Sequence, residues 1–460
     1  MKIKTLGLAA TAFSMLSVPF GASAQDSSIY IQCPTSTRLH PDTDGDPTTR
    51  EDGIKCDNIS AGDGMVSMAN DDAHPLYIFG FSRLTMPGTS DSVVDPLGNV
   101  ITRTAPAQDS GEYPGYVMDQ GMLAANAPAP TISVDEDDEF FLSLTNVGMA
   151  MRPDLFDPHT IHWHGFPNAS AVFDGLPESG ISIAGGATLT YYYNAKDAGT
   201  YMYHCHVEAT EHMQMGMLGS LFVRPRQDKT PVGTSLYEAF QTNYANVNNG
   251  GYTAPPATDN GVTQVAGAHY AFNDGDGSTF YNQDIAIQFG SFDPDFHDLH
   301  LAVQPLPFAA MRDRYFLLNG RGYPDTVNPG TISTVDPLGR EQISQPLSSL
   351  ITGAPGDKIL LRLSNLSVTA FYTVGTSGIP MEVVGLDARL LRDDDGNNMA
   401  YMTNSVTLGG GQSADVIVTI PATATVGQTF FFYTKNLDLL ANDAENFGGM
   451  MTEIQVVAAN

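Results

Sequence analysis

Tyr201-Met-Tyr-His-Cys-His-Val-Glu-Ala-Thr-Glu-His-Met-Gln-Met-Gly-Met217 is the run around which the chain is organised. Its opening, Thr200–Tyr203, is aromatic-rich and follows Ala198-Gly199, which predicts a β-strand. Successive side chains of a strand face opposite ways. His204 and His206 therefore point to one side and Cys205 to the other, so one short segment feeds two sites joined by the Cys205 main chain. An earlier run, Pro158-His-Thr-Ile-His-Trp-His-Gly165, answers it. If that run is extended, His162 and His164 share a face.

On the Cys205 side the partners at hand are His159, His212 and Met217, the last two lying past a bend over Glu208–Glu211. A thiolate, two imidazoles and a weak axial thioether form the ligand set of a blue copper electron-transfer site. On the other side His162, His164, His204 and His206 bring four imidazoles near one point. Buried structural histidines would not explain four of them at such regular spacing beside a cysteine. Trp163 faces away from them and reads as packing. Met202, Met213 and Met215 read as packing rather than Cu(I) ligands, since methionine fills irregular gaps readily.

The pattern His159-x-x-His162-x-His164-Gly165, with His204-Cys205-His206 followed by His212 and Met217, resembles the copper motifs of the multicopper oxidase family. The resemblance implies copper as cofactor. Type 1 copper would sit on His159, Cys205, His212 and Met217. His162, His164, His204 and His206 would bind parts of a trinuclear type 2 and type 3 cluster that reduces dioxygen to water. One departure is visible: six residues separate Cys205 from His212, where the family usually has four. Copper nitrite reductases, which share the fold, usually carry a longer loop there, so the chain sits between the two.

The 460 residues suffice for two or three domains. Met1–Ala24 reads as a secretory signal, with Lys2 and Lys4, an apolar run, and Ala22-Ser-Ala24 before Gln25. No later apolar run is long enough to span a bilayer, so a periplasmic or secreted protein is expected. Lys and Arg number 21 against 51 acids, a formal charge of −30. That excludes nucleic acid and anionic membrane surfaces as partners. With Cys205 assigned to copper, Cys33 and Cys56 remain as a pair for a disulfide in an oxidising compartment.

The expected fold class is all-β: two cupredoxin-like Greek-key sandwich or barrel domains after an irregular acidic N-terminal segment. The boundaries read as signal 1–24, irregular segment 25–75, copper-binding domain 76–226, linker 227–282 and second domain 283–460. In the irregular segment, Asp42-x-Asp44-Gly-Asp46 begins like a calcium loop, but Pro47 and Gly53 stand where the loop needs a glycine and a glutamate. It is read as a solvated loop, with His40 and His74 as surface histidines. The acidic cluster Asp135–Glu139 is also read as solvated. An internal repeat supports the second domain, since Asp138-Glu-Phe-Phe-Leu-Ser-Leu-Thr-Asn146 answers Asp357-Lys-Ile-Leu-Leu-Arg-Leu-Ser-Asn365. Aligned the same way, Tyr372-Thr-Val-Gly375 stands for His162-Trp-His-Gly165, and Tyr433-Thr-Lys-Asn436 stands for Tyr203-His-Cys-His206. The second domain has lost its copper motif.

Three functional readings follow. In the family, the oxygen-reducing cluster takes eight histidines, and this chain supplies four. A homo-oligomer in which two first domains face each other would complete the cluster between subunits. Alternatively, His164 and His204 hold a single type 2 copper, as in nitrite reductases, with a third ligand such as His297 or His300 from a neighbour. In the third reading only type 1 copper functions and the protein is an electron carrier. The four clustered imidazoles favour the first. The reductant is open among phenols, cuprous, ferrous or manganous ions and a donor protein, with Glu208 and Glu211 near where it would dock.

Overall fold

The computed structural model describes residues 29–68, 75–95, 97–246 and 253–459; the signal reading over Met1–Ala24 and His74 lie outside them. The first domain is a sandwich of two four-stranded sheets. Its strands are β1 (Ile54–Val66), β2 (Leu76–Arg83), β3 (Ala129–Asp135), β4 (Glu139–Gly148), β5 (His162–His164), β6 (Thr188–Asn194), β7 (Gly199–His204) and β8 (Leu218–Arg224). One sheet runs β2-β1-β4-β6 and the other β3-β8-β7-β5. Inward residues of both sheets, among them Phe79, Leu142, Trp163, Tyr191, Tyr203 and Val223, make one core. Trp163 stacks on Tyr193 with ring centroids 3.8 Å apart, so it packs as its position on the inner face requires.

Strand β1 falls inside the segment read as irregular. It is a 13-residue strand, antiparallel to β2 and parallel to β4. Its Asp-, Asn-, Ser- and Gly-rich sequence hides it, because both faces are covered and the polar groups are bonded internally. Asp63 is buried and accepts the N–H groups of Ala150 and Met151 and the Tyr77 hydroxyl. Cys33 and Cys56 form the expected disulfide, which ties the preceding loop to β1.

The Asp135–Glu139 cluster is not solvated: Glu136, Asp138 and Glu139 are buried. Each carboxylate has a donor within reach, two of them brought from distant parts of the chain. Asp138 accepts the N–H of Asp135, Glu136 pairs with Arg226 at 2.7 Å, and Glu139 accepts the Tyr192 hydroxyl. Burial still pushes the carboxyls of Glu136 and Asp138 above the ordinary range. In the N-terminal loop, Asp42 and Asp44 turn inward to accept the N–H groups of Gly45 and Asp46.

The stretch read as a linker carries a helix, Leu236–Asn246, and a short ladder of His269–Tyr270 on Phe280–Tyr281. The second half repeats the sandwich. Strand Gln283–Phe292 runs parallel to Lys358–Asn365 as β1 runs parallel to β4. Asn365 accepts the N–H of Ser367 as Asn146 accepts that of Gly148, and Asp357 caps Ala354 as Asp138 caps Asp135. The internal repeat is thus a repeat of strand-end hydrogen bonding.

The two halves are joined at β7. The Thr200 hydroxyl donates to Asp415 at 2.6 Å, and the Ser413 hydroxyl donates to the Thr200 carbonyl at 2.6 Å. Arg362, fully buried, bonds Asp284 at 2.8 Å, lies 3.5 Å from Asp415 and stacks over Phe222. Among the described residues no helix is long and apolar enough to cross a membrane.

Candidate metal centre

Strand register assembles the centre. β5 and β7 pair antiparallel with His162 opposite His204 and Trp163 opposite Tyr203. Directly opposed residues share a face, so the histidines meet on one side while the aromatics enter the core on the other. Ring centroids stand 5.2 Å apart for His162–His204 and His162–His206, and 5.5 Å for His164–His204. The expected four-imidazole face is present.

The same register corrects the alignment of the repeat. In the second domain Val374 lies opposite Thr434, as His162 lies opposite His204. Val374 and Thr376, two residues on from the Tyr372 and Val374 of the sequence alignment, therefore occupy the places of His162 and His164. The loss of ligands in that domain stands.

Second partners fix the ring orientations. His162 Nδ1 donates to the Asp174 carbonyl at 2.7 Å, and His204 Nδ1 to the Cys205 carbonyl at 2.8 Å. Such contacts set the tautomer and leave the other nitrogen's lone pair for an ion. The Asp174 carbonyl comes this close because of Gly175, with φ +79°, where a Cβ would lie 2.1 Å from the Ile161 carbonyl oxygen. Burial, and then the neighbouring imidazoles, push His204 down to about 3; burial also lowers His162 and His164. Neutral imidazole is the metal-binding form.

On the opposite side Cys205 Sγ lies 3.2 Å from His212 Nδ1 and 3.9 Å from His159 Nδ1, and all three residues are fully buried. Their ligand atoms lie within 4.8 Å of one another. The Thr160 N–H points at Sγ from 3.5 Å. Met217 is buried beside them, and its carbonyl accepts the Cys205 N–H at 3.2 Å. Burial alone would raise the Cys205 thiol and lower His212. Facing each other they go the opposite way, with the thiol well below its usual range and His212 up at about 10, also helped by Asp157. A buried thiolate with two imidazoles fits copper by donor set, and the Nε2 atoms of His159 and His212 have no hydrogen-bond partner.

Helix α1 (Ala209–Gln214) is the bend expected over Glu208–Glu211, entered through Glu208 at φ +45°. Glu211 accepts from His300 Nε2 at 2.7 Å, and Glu208 is exposed. The acid that the sequence reading missed is Asp157, two residues before His159. Its Oδ2 is buried, makes no hydrogen bond and faces His212 Nε2 as an ion-pair partner at 3.9 Å. Asp157, Glu208 and His212 form a second group whose ligand atoms lie within 4.8 Å. The signal was local, a carboxylate beside the first ligand in Asp157-Pro158-His159.

His297 and His300 do not reach toward a neighbour. Both are buried on a helix, Pro294–Leu301, that braces the Cys205 side. His297 contacts the carbonyls of Tyr77 and Gln214 at 2.5 and 2.9 Å, and His300 lies against Arg152, Glu211 and the Phe79 ring. Phe79 also meets His212 edge-on, so the brace reaches the site through this ring as well as through α1. Met202 and Met215 are buried packing, whereas Met213 lines the histidine cleft.

The four histidines open into a cleft of about 550 Å³. Its far wall belongs to the second domain of the same chain, residues 366–371 and 410–411.

Two sequence models of a family described as multicopper oxidase match residues 113–228 and 308–452, together more than half of the chain. Laccase-1 of Emericella nidulans is 32% identical over 121 residues, covering 26% of this chain and 16% of that protein. Multicopper oxidase MmcO of Mycobacterium tuberculosis is 30% identical over 111 residues, covering 24% of this chain and 20% of that protein. The matches thus span no more than a fifth of these relatives' length. The fold is shared with the blue copper oxidase from Nitrosomonas europaea, at TM-score 0.54 and 19% identity over 87% of this chain and 86% of that one. Multicopper oxidase mgLAC gives TM-score 0.53 and 18% identity, with 88% of each chain covered.

Proposed function

The chain belongs to the multicopper oxidase family, and from that premise we propose that it is a copper-dependent oxidoreductase taking electrons from a reductant on the Cys205 side and passing them to dioxygen in the histidine cleft. The observation that carries this reading is the double facing of one segment: Cys205 Sγ meets His159 and His212, while the flanking His204 and His206 line the cleft with His162 and His164. Bound copper would supply one-electron redox chemistry at both places. His159, Cys205, His212 and Met217 would hold it at the first, and His162, His164 and His204, with His206 beside them, at the second.

The residues of the chain do the rest. The Cys205 main chain is the covalent path between the two sites, and its carbonyl also orients His204. Burial keeps water from the thiolate. Asp157 and Glu208 put negative charge beside His212, which suits a reducing metal ion, a phenol or a cationic donor protein. The Cys33–Cys56 disulfide supports an oxidising compartment, periplasmic or secreted.

A second reading, nitrite as acceptor, is favoured by one observation: ligand atoms of His162, His164 and His204 lie within 4.8 Å of one another, a three-imidazole set for one ion. Oxygen uptake and nitric oxide release by copper-loaded protein with a reduced donor separate the two. The dioxygen reading expects uptake that is lost in His164→Ala while the blue absorption stays. Uptake surviving in that variant would sink it, and nitrite turnover without oxygen uptake would replace it.

A further inference from the structure

The trinuclear cluster implied by the family resemblance does not fit this cleft, and we infer instead that the cleft takes a single copper ion, held within one chain by His162, His164 and His204. The inference concerns how many ions bind and stands whether the acceptor is dioxygen or nitrite.

Ligand supply is the first argument. A cluster of that kind takes eight imidazoles, and the cleft has four. The wall facing them offers no imidazole, carboxylate or thiol. Its hydroxyls are engaged, Ser367 with Ser291 and Tyr372, and Thr369 with Asp313. Outside the two sites the other described histidines also have partners: His40 with the Asp137 carbonyl, His269 with Asp228, and His297 and His300 in the brace.

Access is the second. The expected pairing of two first domains needs the histidine face to be free, but the chain's own second domain covers it. At Gly411 an added Cβ would stand 2.7 Å from His164 Nε2, so roof and ring are already in contact. The roof is tied down on both flanks. Asp313 accepts from Thr369 and from Gln214 of α1, and Thr200 is bonded to Asp415 and Ser413. A second copy pairing face to face would have to share the cleft with this roof.

Geometry is the third. With His164 Nε2 against the roof, its Nδ1 faces His204 Nε2 at 3.3 Å. Two imidazole nitrogens sharing one ion at zinc-like bond lengths of ~2.0–2.1 Å, tetrahedrally disposed, stand roughly 3.3 Å apart. His162 Nε2 is the third donor, since its Nδ1 is committed to Asp174. His206 falls outside the group of ligand atoms within 4.8 Å of one another.

The test is copper titration of the full chain carrying Cys205→Ser with His212→Ala, which removes the thiolate and the imidazole shared by both ligand groups on that side. Bound metal is read by elemental analysis, and its magnetic state by electron paramagnetic resonance. The expected result is one copper per chain, all of it visible as isolated Cu(II), unchanged in His206→Ala and in His74→Ala and lost in His204→Ala. Two or more ions per chain, a magnetically silent fraction, or loss of the ion in the His206 or His74 variant would overturn the inference. Unmutated protein gives an independent count, expected at two per chain. Absence of oxygen uptake with these counts intact would count against the proposed acceptor and leave the inference standing.

Discussion

At the scale of single residues, the site depends on atoms that are not ligands. Asp157 carries a buried carboxylate oxygen 3.9 Å from His212 Nε2. Removing it as Asp157→Ala takes away the charge that meets an incoming cation, while Cys205, His159 and His212 keep their places. The Michaelis constant for a cationic reductant is expected to rise roughly tenfold at low salt, with blue absorption retained. The difference from the parent should shrink as ionic strength rises past the Debye regime. Equal constants in the two proteins at low salt would show that donors dock elsewhere. Gly411 acts on the other site. It sits at φ +87° with its missing Cβ pointed at His164. Gly411→Ala adds a left-handed strain of roughly 1–2 kcal/mol and presses on the His164 ring. Copper in the cleft should weaken while the Cys205 site keeps its colour, as read by metal analysis beside the visible spectrum.

At the scale of elements, the sequence was legible wherever side-chain direction follows from strand geometry alone. The two faces of Tyr201–His206 and the packing role of Trp163 rest on the two-residue period, whereas the lost ligands of the second domain were read from the internal repeat, whose alignment the register shifts by two residues. It was opaque where covering on both faces removes the period. β1 reads as loop because Asn58, Ser60 and Asp63 are buried and bonded inside the sandwich. The Asp135–Glu139 acids read as solvated because their partners, Arg226, Asn273 and Tyr192, are distant in sequence. The histidine brace was missed for the same reason, since nothing near His297 points to Tyr77 or Gln214. Asp313 is a further case, a half-buried carboxylate that gathers Ser291, Thr369 and Gln214. Asp313→Ala takes the acceptor from Thr369 and Gln214, while Ser291 keeps Ser367 and Tyr372, and costs about 1–3 kcal/mol for each group left buried and unpaired. It also frees the roof and α1 together. The variant should unfold at lower denaturant and show a shifted blue band, because His212 lies on α1. A normal band with only reduced stability would separate the clasp from the Cys205 site.

At the scale of the whole molecule, the second domain has no ligands at the corresponding positions but supplies the cleft's roof and the brace behind Cys205. Its hold on the first domain runs through Arg362. That guanidinium is fully buried, bonds Asp284, faces the fully buried Asp415 and stacks over Phe222. Desolvating these charges is costly, so the pair adds little by its presence, yet removing one member strands the other. Arg362→Ala is therefore expected to cost about 3–5 kcal/mol, read as a lower midpoint in urea at unchanged slope. Replacing both members, Arg362→Met with Asp415→Leu, should recover part of that loss, because Asp415 is then no longer a stranded buried charge, whereas the partly exposed Asp284 still loses its partner. The two variants should also differ in metal binding. The single variant loosens the seam along β7 and should release cleft copper to a chelator sooner than the parent, whereas Cys205 copper, enclosed by the first domain and its brace, should leave at the parental rate. If both coppers leave together in Arg362→Ala, the seam holds the chain as one unit and the roof is not its weakest part.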